Sequence, residues 1–128
     1  MGTGTELGRV RGLGSAKAGA HHWIVQRITA LANLALVGWL IFSLLRLPVF
    51  DYAALINWLS SPLVAVPMML MIVSIFWHLR LGLQVLIEDY LHAEASKIFA
   101  LMLLNFYAIA GAAFGIFSVA KIAFGGAA

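Results

Sequence analysis

Three long apolar stretches constrain this chain more than any other feature of its sequence. They run roughly over Trp23–Leu45, Leu63–Ile87 and Ile98–Phe124. Each exceeds the roughly 20 residues that an α-helix needs to cross about 30 Å of hydrocarbon. Lone strands cannot satisfy their backbone groups in lipid, so helices are the only option. The pattern predicts an all-α integral membrane protein with three transmembrane helices.

The composition excludes a water-soluble fold. Hydrophobic residues make up 63% of the chain and charged residues only 10%, with a mean hydropathy of +1.00. A soluble domain needs about 25% charged residues, and a small domain keeps much of its surface exposed. The chain has no cysteine, which excludes disulfides, thiolate metal sites and iron–sulfur ligation by this polypeptide.

The sequence divides into an N-terminal arm and a membrane domain. Residues 1–21 are polar and Gly-rich, and we expect this arm to be loosely ordered until something binds it. Residues 22–128 form the predicted three-helix domain, in which residues 46–61 and 88–97 connect the helices. The first connection suits an interfacial loop, and the second is a polar loop.

The basic residues predict the orientation of the spans. Most of them lie in the arm, at the start of the first span or in the second connection: Arg9, Arg11, Lys17, Arg27 and Lys97. The positive-inside rule then places the N-terminus in the cytoplasm. The net charge of +3 therefore indicates membrane topology and not nucleic-acid binding. The arm has no convincing transit peptide, so we expect a multi-pass protein of a bacterial inner membrane and not a mitochondrial one.

His78 is the most informative polar residue, because it falls in the middle third of the second span. Without water, its imidazole must hydrogen-bond a neighbouring helix or bind a metal, and its position leaves both open. A six-coordinate haem needs two axial ligands, and this chain offers one buried histidine. Three helices would also enclose a porphyrin poorly, so haem binding would require a partner subunit and a multi-subunit helical bundle.

Asp89 and Tyr90 follow on the same predicted helix, with Asp89 about 16 Å from His78 along the axis. That layout suits a redox group inside the membrane and a proton-requiring reaction at its cytoplasmic edge. Tyrosine is also enriched at membrane interfaces regardless of function. Arg27, one turn into the first span, is either an interfacial anchor or a cation facing haem propionates or a quinone.

Two further patterns lie deep in the spans. Arg80 and Gln84 are one turn apart on the side opposite His78, and Glu88 extends this stripe. Because Glu88 is too far away to pair with Arg80, we expect the partner of Arg80 on another chain. In the third span, Gly111 and Gly115 form a small-xxx-small pattern, which we assign to packing within the protein's own bundle in preference to homodimerisation.

The segment from His78 to Tyr90, with Gly82, Gln84 and Asp89 between, resembles the H-x₃-G-x-Q-x₄-D-Y signature of succinate dehydrogenase hydrophobic membrane anchor subunits. The stretch GAHHWIVQRITA, which contains Arg27, is similar to the same family's entry to its first helix. Length and three-span topology agree, so the resemblance covers nearly the whole chain.

The resemblance implies the following roles. His78 would be an axial ligand to the iron of haem b, shared with the larger membrane anchor subunit. Tyr90 would hydrogen-bond a ubiquinone carbonyl near the iron–sulfur subunit, with Asp89 supporting the site and proton delivery. Arg27 would lie near the haem propionates or the quinone. The chain would not oxidise succinate itself, since that reaction belongs to the flavoprotein subunit.

Two other functions remain open at this point. One is an anchor subunit of a quinol:fumarate reductase, which runs the reaction in the opposite direction. The other is a purely structural membrane adaptor, in which His78, Asp89 and Tyr90 only pack and anchor.

Overall fold

The computed structural model describes residues 5–12 and 18–125, and every described element is helical. The elements are α1 (Glu6–Arg11), α2 (Gly19–Leu45), α3 (Tyr52–Ser60), α4 (Pro62–Tyr90) and α5 (Glu94–Gly125). The three long helices α2, α4 and α5 are long and apolar enough to cross a membrane. The all-α, three-span prediction is therefore confirmed.

The helices extend beyond the apolar segments that predicted them. α2 begins at Gly19 rather than at Trp23, and α4 continues through Tyr90 rather than ending at Ile87. Hydropathy marks where side chains tolerate lipid, whereas backbone hydrogen bonds can continue a helix into the polar interface. His21 and His22 are consequently helical residues.

The prediction of a loop over residues 88–97 is wrong. Only residues 91–93 separate α4 from α5, because Glu94 already lies in the first turn of α5. An acidic residue there is stabilised by the positive end of the helix dipole. Glu94 also lies 3.6 Å from Lys97 Nζ, one turn along.

The connection over residues 46–61 is also more regular than expected, because it contains α3. Asp51 caps this helix, its Oδ1 accepting a hydrogen bond from the Ala54 backbone N–H at 2.7 Å. Ser61 is extended and separates α3 from α4, and Pro62 occupies the first turn of α4, where its missing N–H costs little.

Parts of the predicted arm over residues 1–21 lie outside the described residues, as do the side chains of Arg9 and Arg11 and the whole of Lys17. Within the arm, α1 and the start of α2 are helical. The division into arm and membrane domain, and the orientation of the spans, stay predictions.

α4 is the central helix of the described structure. It packs against both α2 and α5, whereas α2 and α5 do not contact each other within residues 5–12 and 18–125. The outer faces of the three long helices are largely uncovered by the rest of the described chain. Large apolar side chains cover these faces, as Leu34 (75% exposed), Phe106 (67%) and Phe114 (74%) illustrate. In water such exposure would be prohibitive, but lipid solvates it.

The contact between α4 and α5 depends on the paired glycines of α5. A Cβ atom on Gly111 would lie 2.6 Å from Phe76 Cζ, and one on Gly115 would lie 3.0 Å from Ile72 Cγ2. The first distance is too short for a real Cβ contact and the second is tighter than almost all of them, so alanine at either position would require Phe76 or Ile72 to move. The assignment of Gly111 and Gly115 to packing within the chain's own bundle is confirmed.

Candidate functional site

His78 lies half-buried on the face of α4 that meets α2. Its Nδ1 atom is 3.0 Å from Thr29 Oγ1 on α2, a hydrogen-bonding distance. From the same face of α4, Ser74 Oγ donates to the Thr29 carbonyl at 3.3 Å. Two polar contacts between α2 and α4 therefore meet at Thr29 and fix where the imidazole sits.

A cavity of about 660 Å³ lies beside His78, between α2 and α4, and is open on one side. Most of its lining comes from the first turns of α2: Gly19, His22, Trp23, Gln26, Arg27 and Ala30, with His78 and Val85 from α4. The helical start of α2 is what brings these residues to the imidazole. The structure thus places Arg27 and His78 at one cavity, as expected if both contact the same group.

Two side-chain atoms beside this cavity are buried without a hydrogen-bond partner. They are His22 Nε2 and Gln26 Oε1, and both residues line the cavity. A buried polar atom without a partner costs roughly 1–3 kcal/mol. Asn33 Oδ1, on a residue that does not line the cavity, is a third such atom among the described residues.

Arg27 is exposed, and its guanidinium carbon lies 5.4 Å from the centroid of the Trp23 ring. Stacking on the ring holds the arginine side chain at the cavity edge without neutralising its charge. Arg27 forms no ion pair within the described residues. Its cation is therefore available to an anionic group at the cavity.

Gly82 follows His78 by one turn of α4. A Cβ atom at Gly82 would lie 3.7 Å from Gln26 Nε2, an ordinary contact distance. Unlike Gly111, this position has room for a methyl group, so helix packing does not by itself require a glycine there.

Asp89 and Tyr90 lie in the last turn of α4 and do not line the cavity. Both are exposed, Tyr90 to 75%, and neither makes a side-chain hydrogen bond or ion pair with another described residue. α4 therefore carries two separate sets of functional groups, an imidazole in its middle and a carboxylate with a phenol at its end.

The expectation that Arg80 finds its partner on another chain is wrong. Arg80 Nε donates a hydrogen bond to Asn105 Oδ1 on α5 of the same chain. Gln84 Nε2 donates to Glu88 Oε1 at 2.8 Å, so the stripe on α4 divides into two separate pairs. Arg80 and Asn105 form the polar end of an apolar groove of about 380 Å³ between α4 and α5.

Sequence reasoning gave no role to several residues that the structure brings to these sites. Asn105 could have been recognised, because it is the one amide side chain between Ile98 and Val119 and lies at a depth similar to that of Arg80. Thr29, His22 and Gln26 gave no comparable signal, since nothing in their spacing shows that they face His78.

Comparison with known proteins identifies the family. Residues 1–114 match the succinate dehydrogenase/fumarate reductase transmembrane subunit family. The chain belongs to this family. The resemblance seen in the segment from His78 to Tyr90 is thereby confirmed, and the chain is a membrane anchor subunit of this type.

Curated relatives agree with the family assignment. The succinate dehydrogenase hydrophobic membrane anchor subunit of Rickettsia bellii is 36% identical over 86 residues, which cover 67% of this chain and 69% of the relative. That of Rickettsia conorii is 34% identical over 87 residues, with the same coverage. The succinate dehydrogenase membrane anchor subunit of Reclinomonas americana is 30% identical over 104 residues, 73% of this chain and 80% of the relative. The comparison with solved structures gave no match.

Proposed function

We propose that this chain is the anchor subunit of a succinate:ubiquinone oxidoreductase, in which His78 ligates haem b and Asp89 and Tyr90 form part of the quinone-reduction site. One observation carries the proposal: a half-buried imidazole borders an open cavity that also contains a free cation and unpartnered buried polar atoms. Lipid alone would satisfy none of these groups.

The donor set fits a haem better than a metal ion held by protein side chains alone. Within residues 5–12 and 18–125, no three His, Cys, Asp or Glu side chains come together in a way that could hold a metal ion. A porphyrin brings four nitrogen ligands of its own and takes only axial ligands from protein. A single imidazole beside a large open cavity suits that requirement. In the assembled enzyme the open side of the cavity would face the larger anchor subunit, which would supply the other ligand to the haem.

The rim of the cavity suits the carboxylates of a haem. Arg27 retains its charge, and an arginine binds a carboxylate through paired N–H donors. In the low dielectric of the membrane interface such a pair is stronger than in water. Arg27 would therefore orient the bound group, and His78 would hold its iron. The haem supplies a one-electron redox centre, and this chain supplies the position and polarity around it.

The far end of α4 suits a quinone carbonyl. The Tyr90 hydroxyl is an exposed donor at the membrane edge, with Asp89 adjacent in the chain. As electrons reach the quinone, negative charge develops on its oxygen atoms, and a phenolic O–H directed at one of them stabilises that charge. Asp89 accepts protons from water and passes them to the same region. Neither residue acts on succinate.

The remaining parts of the enzyme come from other chains. Electrons arrive from succinate through a flavoprotein subunit and an iron–sulfur subunit, and the quinone pocket lies between Tyr90 and the iron–sulfur subunit. Since relatives come from Rickettsia, we assign the chain to a bacterial inner membrane, with its N-terminus in the cytoplasm. The family description also covers fumarate reductases, which transfer electrons in the opposite direction.

The haem assignment is tested by the reduced-minus-oxidised absorption spectrum of the purified complex. His78→Ala should abolish a b-type band, whereas His92→Ala should retain it, because His92 is exposed between α4 and α5 and outside the cavity. A b-type band of undiminished intensity in His78→Ala would reject His78 as the ligand. Absence of the band from the wild-type complex would reject haem binding and leave the quinone role of Tyr90 to its own test.

The quinone assignment is tested by comparing two electron acceptors. Tyr90→Phe removes one hydroxyl and should slow ubiquinone reduction at least tenfold, while succinate oxidation with an artificial acceptor is unchanged. Tyr52→Phe is the matched control, because Tyr52 is also exposed, at 81%, but begins α3 at the opposite end of the bundle. Equal losses with both acceptors would indicate an assembly defect and contradict a role at the quinone.

A further inference from the structure

Thr29 has one hydroxyl proton and two kinds of neighbour that could receive it. Its Oγ1 lies 2.9 Å from the Val25 carbonyl oxygen and 3.1 Å from that of Gln26, both in the preceding turn of α2. It also lies 3.0 Å from His78 Nδ1. A hydroxyl donates once but accepts twice, so the direction of the contact with His78 determines the tautomer of the imidazole.

Only one direction satisfies both protons within the chain. If Thr29 donates to the Val25 carbonyl, His78 Nδ1–H donates to Thr29 Oγ1, and both hydrogens are bonded. If Thr29 instead donates to Nδ1, the imidazole proton moves to Nε2, which makes no hydrogen bond with a described residue. A donor without a partner in hydrocarbon costs several kcal/mol. The first arrangement is therefore favoured, and it leaves the lone pair of Nε2 free.

We propose that Thr29 is a positioning residue for the haem ligand, resting on the proposed function of His78. By accepting Nδ1–H it selects the tautomer in which Nε2 can bind iron, and it fixes the plane of the ring. Metal-binding histidines generally donate their other N–H to an oxygen atom, which orients the ring and increases its basicity. Here the acceptor is a hydroxyl on the neighbouring helix, held by the Ser74 contact to the Thr29 carbonyl.

This role has a consequence for redox potential as well as for haem retention. An imidazole that donates from Nδ1 is a stronger electron donor at Nε2 and stabilises ferric over ferrous iron. Loss of the acceptor should therefore raise the midpoint potential. A tenfold change in the ratio of ferric to ferrous affinity corresponds to about 59 mV for one electron. Loss of such a hydrogen bond typically weakens metal binding about 10–100-fold.

The test compares Thr29→Val with Thr29→Ser in the intact complex. Valine keeps the shape and removes the hydroxyl, whereas serine keeps the hydroxyl. The readouts are haem content per flavin after prolonged detergent washing and the haem midpoint potential from an optical titration. We expect Thr29→Val to lose haem and to shift the remaining haem to higher potential. Thr29→Ser should stay close to the wild type in both measurements.

Two controls separate positioning from packing. Ser74→Ala removes another polar contact between α2 and α4 without touching the imidazole, so it should shift the potential less than Thr29→Val. If Thr29→Val does not assemble, Thr29→Ala is measured in its place, with the same expectation.

The outcomes also separate this inference from the function on which it rests. In one outcome, His78→Ala removes the haem, but Thr29→Val changes neither its midpoint potential nor its retention. That outcome would overturn the role of Thr29 and leave the role of His78 intact. The same shift with serine as with valine would also overturn it. A wild-type complex without haem would also remove the haem ligation by His78 on which this inference rests.

Discussion

Replacing Gly111 by alanine should separate α4 from α5, and a second glycine provides a matched control. A Cβ atom at Gly111 would lie 2.6 Å from Phe76 Cζ, which is about 1 Å inside the 3.5–4.0 Å optimum for two carbon atoms. At Gly38 in α2, a Cβ atom would meet nothing within 4 Å. The two substitutions are chemically identical and differ in what surrounds them.

The magnitude follows from two opposing terms. Overpacking of a tight contact typically costs about 1–3 kcal/mol. Alanine is a better helix former than glycine by roughly 1 kcal/mol in aqueous hosts. The second term applies equally at both sites and cancels when the variants are compared. Gly111→Ala should therefore be less stable than Gly38→Ala by about 1–3 kcal/mol.

Phe76 determines where in this range the value falls. Its ring can move, but it packs against Tyr107 with ring centroids 6.1 Å apart. An aromatic pair of this kind contributes about 0.5–1.5 kcal/mol beyond its buried area. If the ring turns away to admit the methyl group, this contact is lost, so movement relieves the clash only partly. Phe76→Leu introduces a smaller side chain and should reduce the loss of stability caused by Gly111→Ala. A double-mutant cycle of the two substitutions should therefore give a measurable coupling free energy.

The assay is unfolding of the purified chain in mild detergent by titration with sodium dodecyl sulfate, followed by tryptophan fluorescence and circular dichroism. Equal stability of Gly111→Ala and Gly38→Ala would refute the reasoning, because it would mean that α4 and α5 do not approach closely at Gly111. A cost that is unchanged by Phe76→Leu would show that Phe76 is not the obstructing residue.

Two other contacts give predictions that do not depend on a cofactor. Asp51→Ala should destabilise α3 by about 1 kcal/mol, because it removes the cap on the Ala54 N–H. Amide hydrogen exchange in α3 should then accelerate roughly fivefold, whereas Asp51→Asn should keep the exchange slow. Unchanged exchange in the alanine variant would contradict the cap. Arg80→Leu should cost about 1–3 kcal/mol by leaving the Asn105 side chain unpaired in the membrane, whereas the double change with Asn105→Leu should recover most of the loss. Additive losses in the same detergent titration would show that the two side chains do not depend on each other.

The sequence predicted the spans well, since hydropathy records directly which segments lipid can solvate. The first span ends at Leu45 as expected. Errors occurred where polar residues continue a helix, because a helix needs backbone hydrogen bonds and not apolar side chains. Thus Glu94 was assigned to a loop although it lies in the first turn of α5, and α2 begins at Gly19. The cap of α3 by Asp51 was not predicted for a similar reason, since the length of an apolar segment carries no information about a short capped helix.

Contacts between helices were harder to predict than the helices themselves. The position of His78 in the middle of a span restricted it to a helix–helix hydrogen bond or a metal. In the structure Nδ1 lies at hydrogen-bonding distance from Thr29 and Nε2 makes no hydrogen bond with a described residue, so the two interpretations are compatible. For Arg80, the one-dimensional pattern offered only Glu88 on its own helix. Asn105 lies on α5, which packs closely against α4 at Gly111 and Gly115, and this pairing of helices cannot be read from the pattern of α4 alone.

The difference between the two open surfaces of this chain argues for a bound group at His78. Most of the exposed surface is apolar and needs nothing beyond lipid. Beside His78 the situation differs, because hydrocarbon can neither donate to Gln26 Oε1, nor pair with His22 Nε2, nor neutralise Arg27. A cofactor with carboxylate groups, enclosed by a second subunit, would satisfy the cation and offer hydrogen-bonding partners at the same rim. The groove at Arg80 makes no equal demand, since there Asn105 of the same chain already accepts a hydrogen bond from the guanidinium.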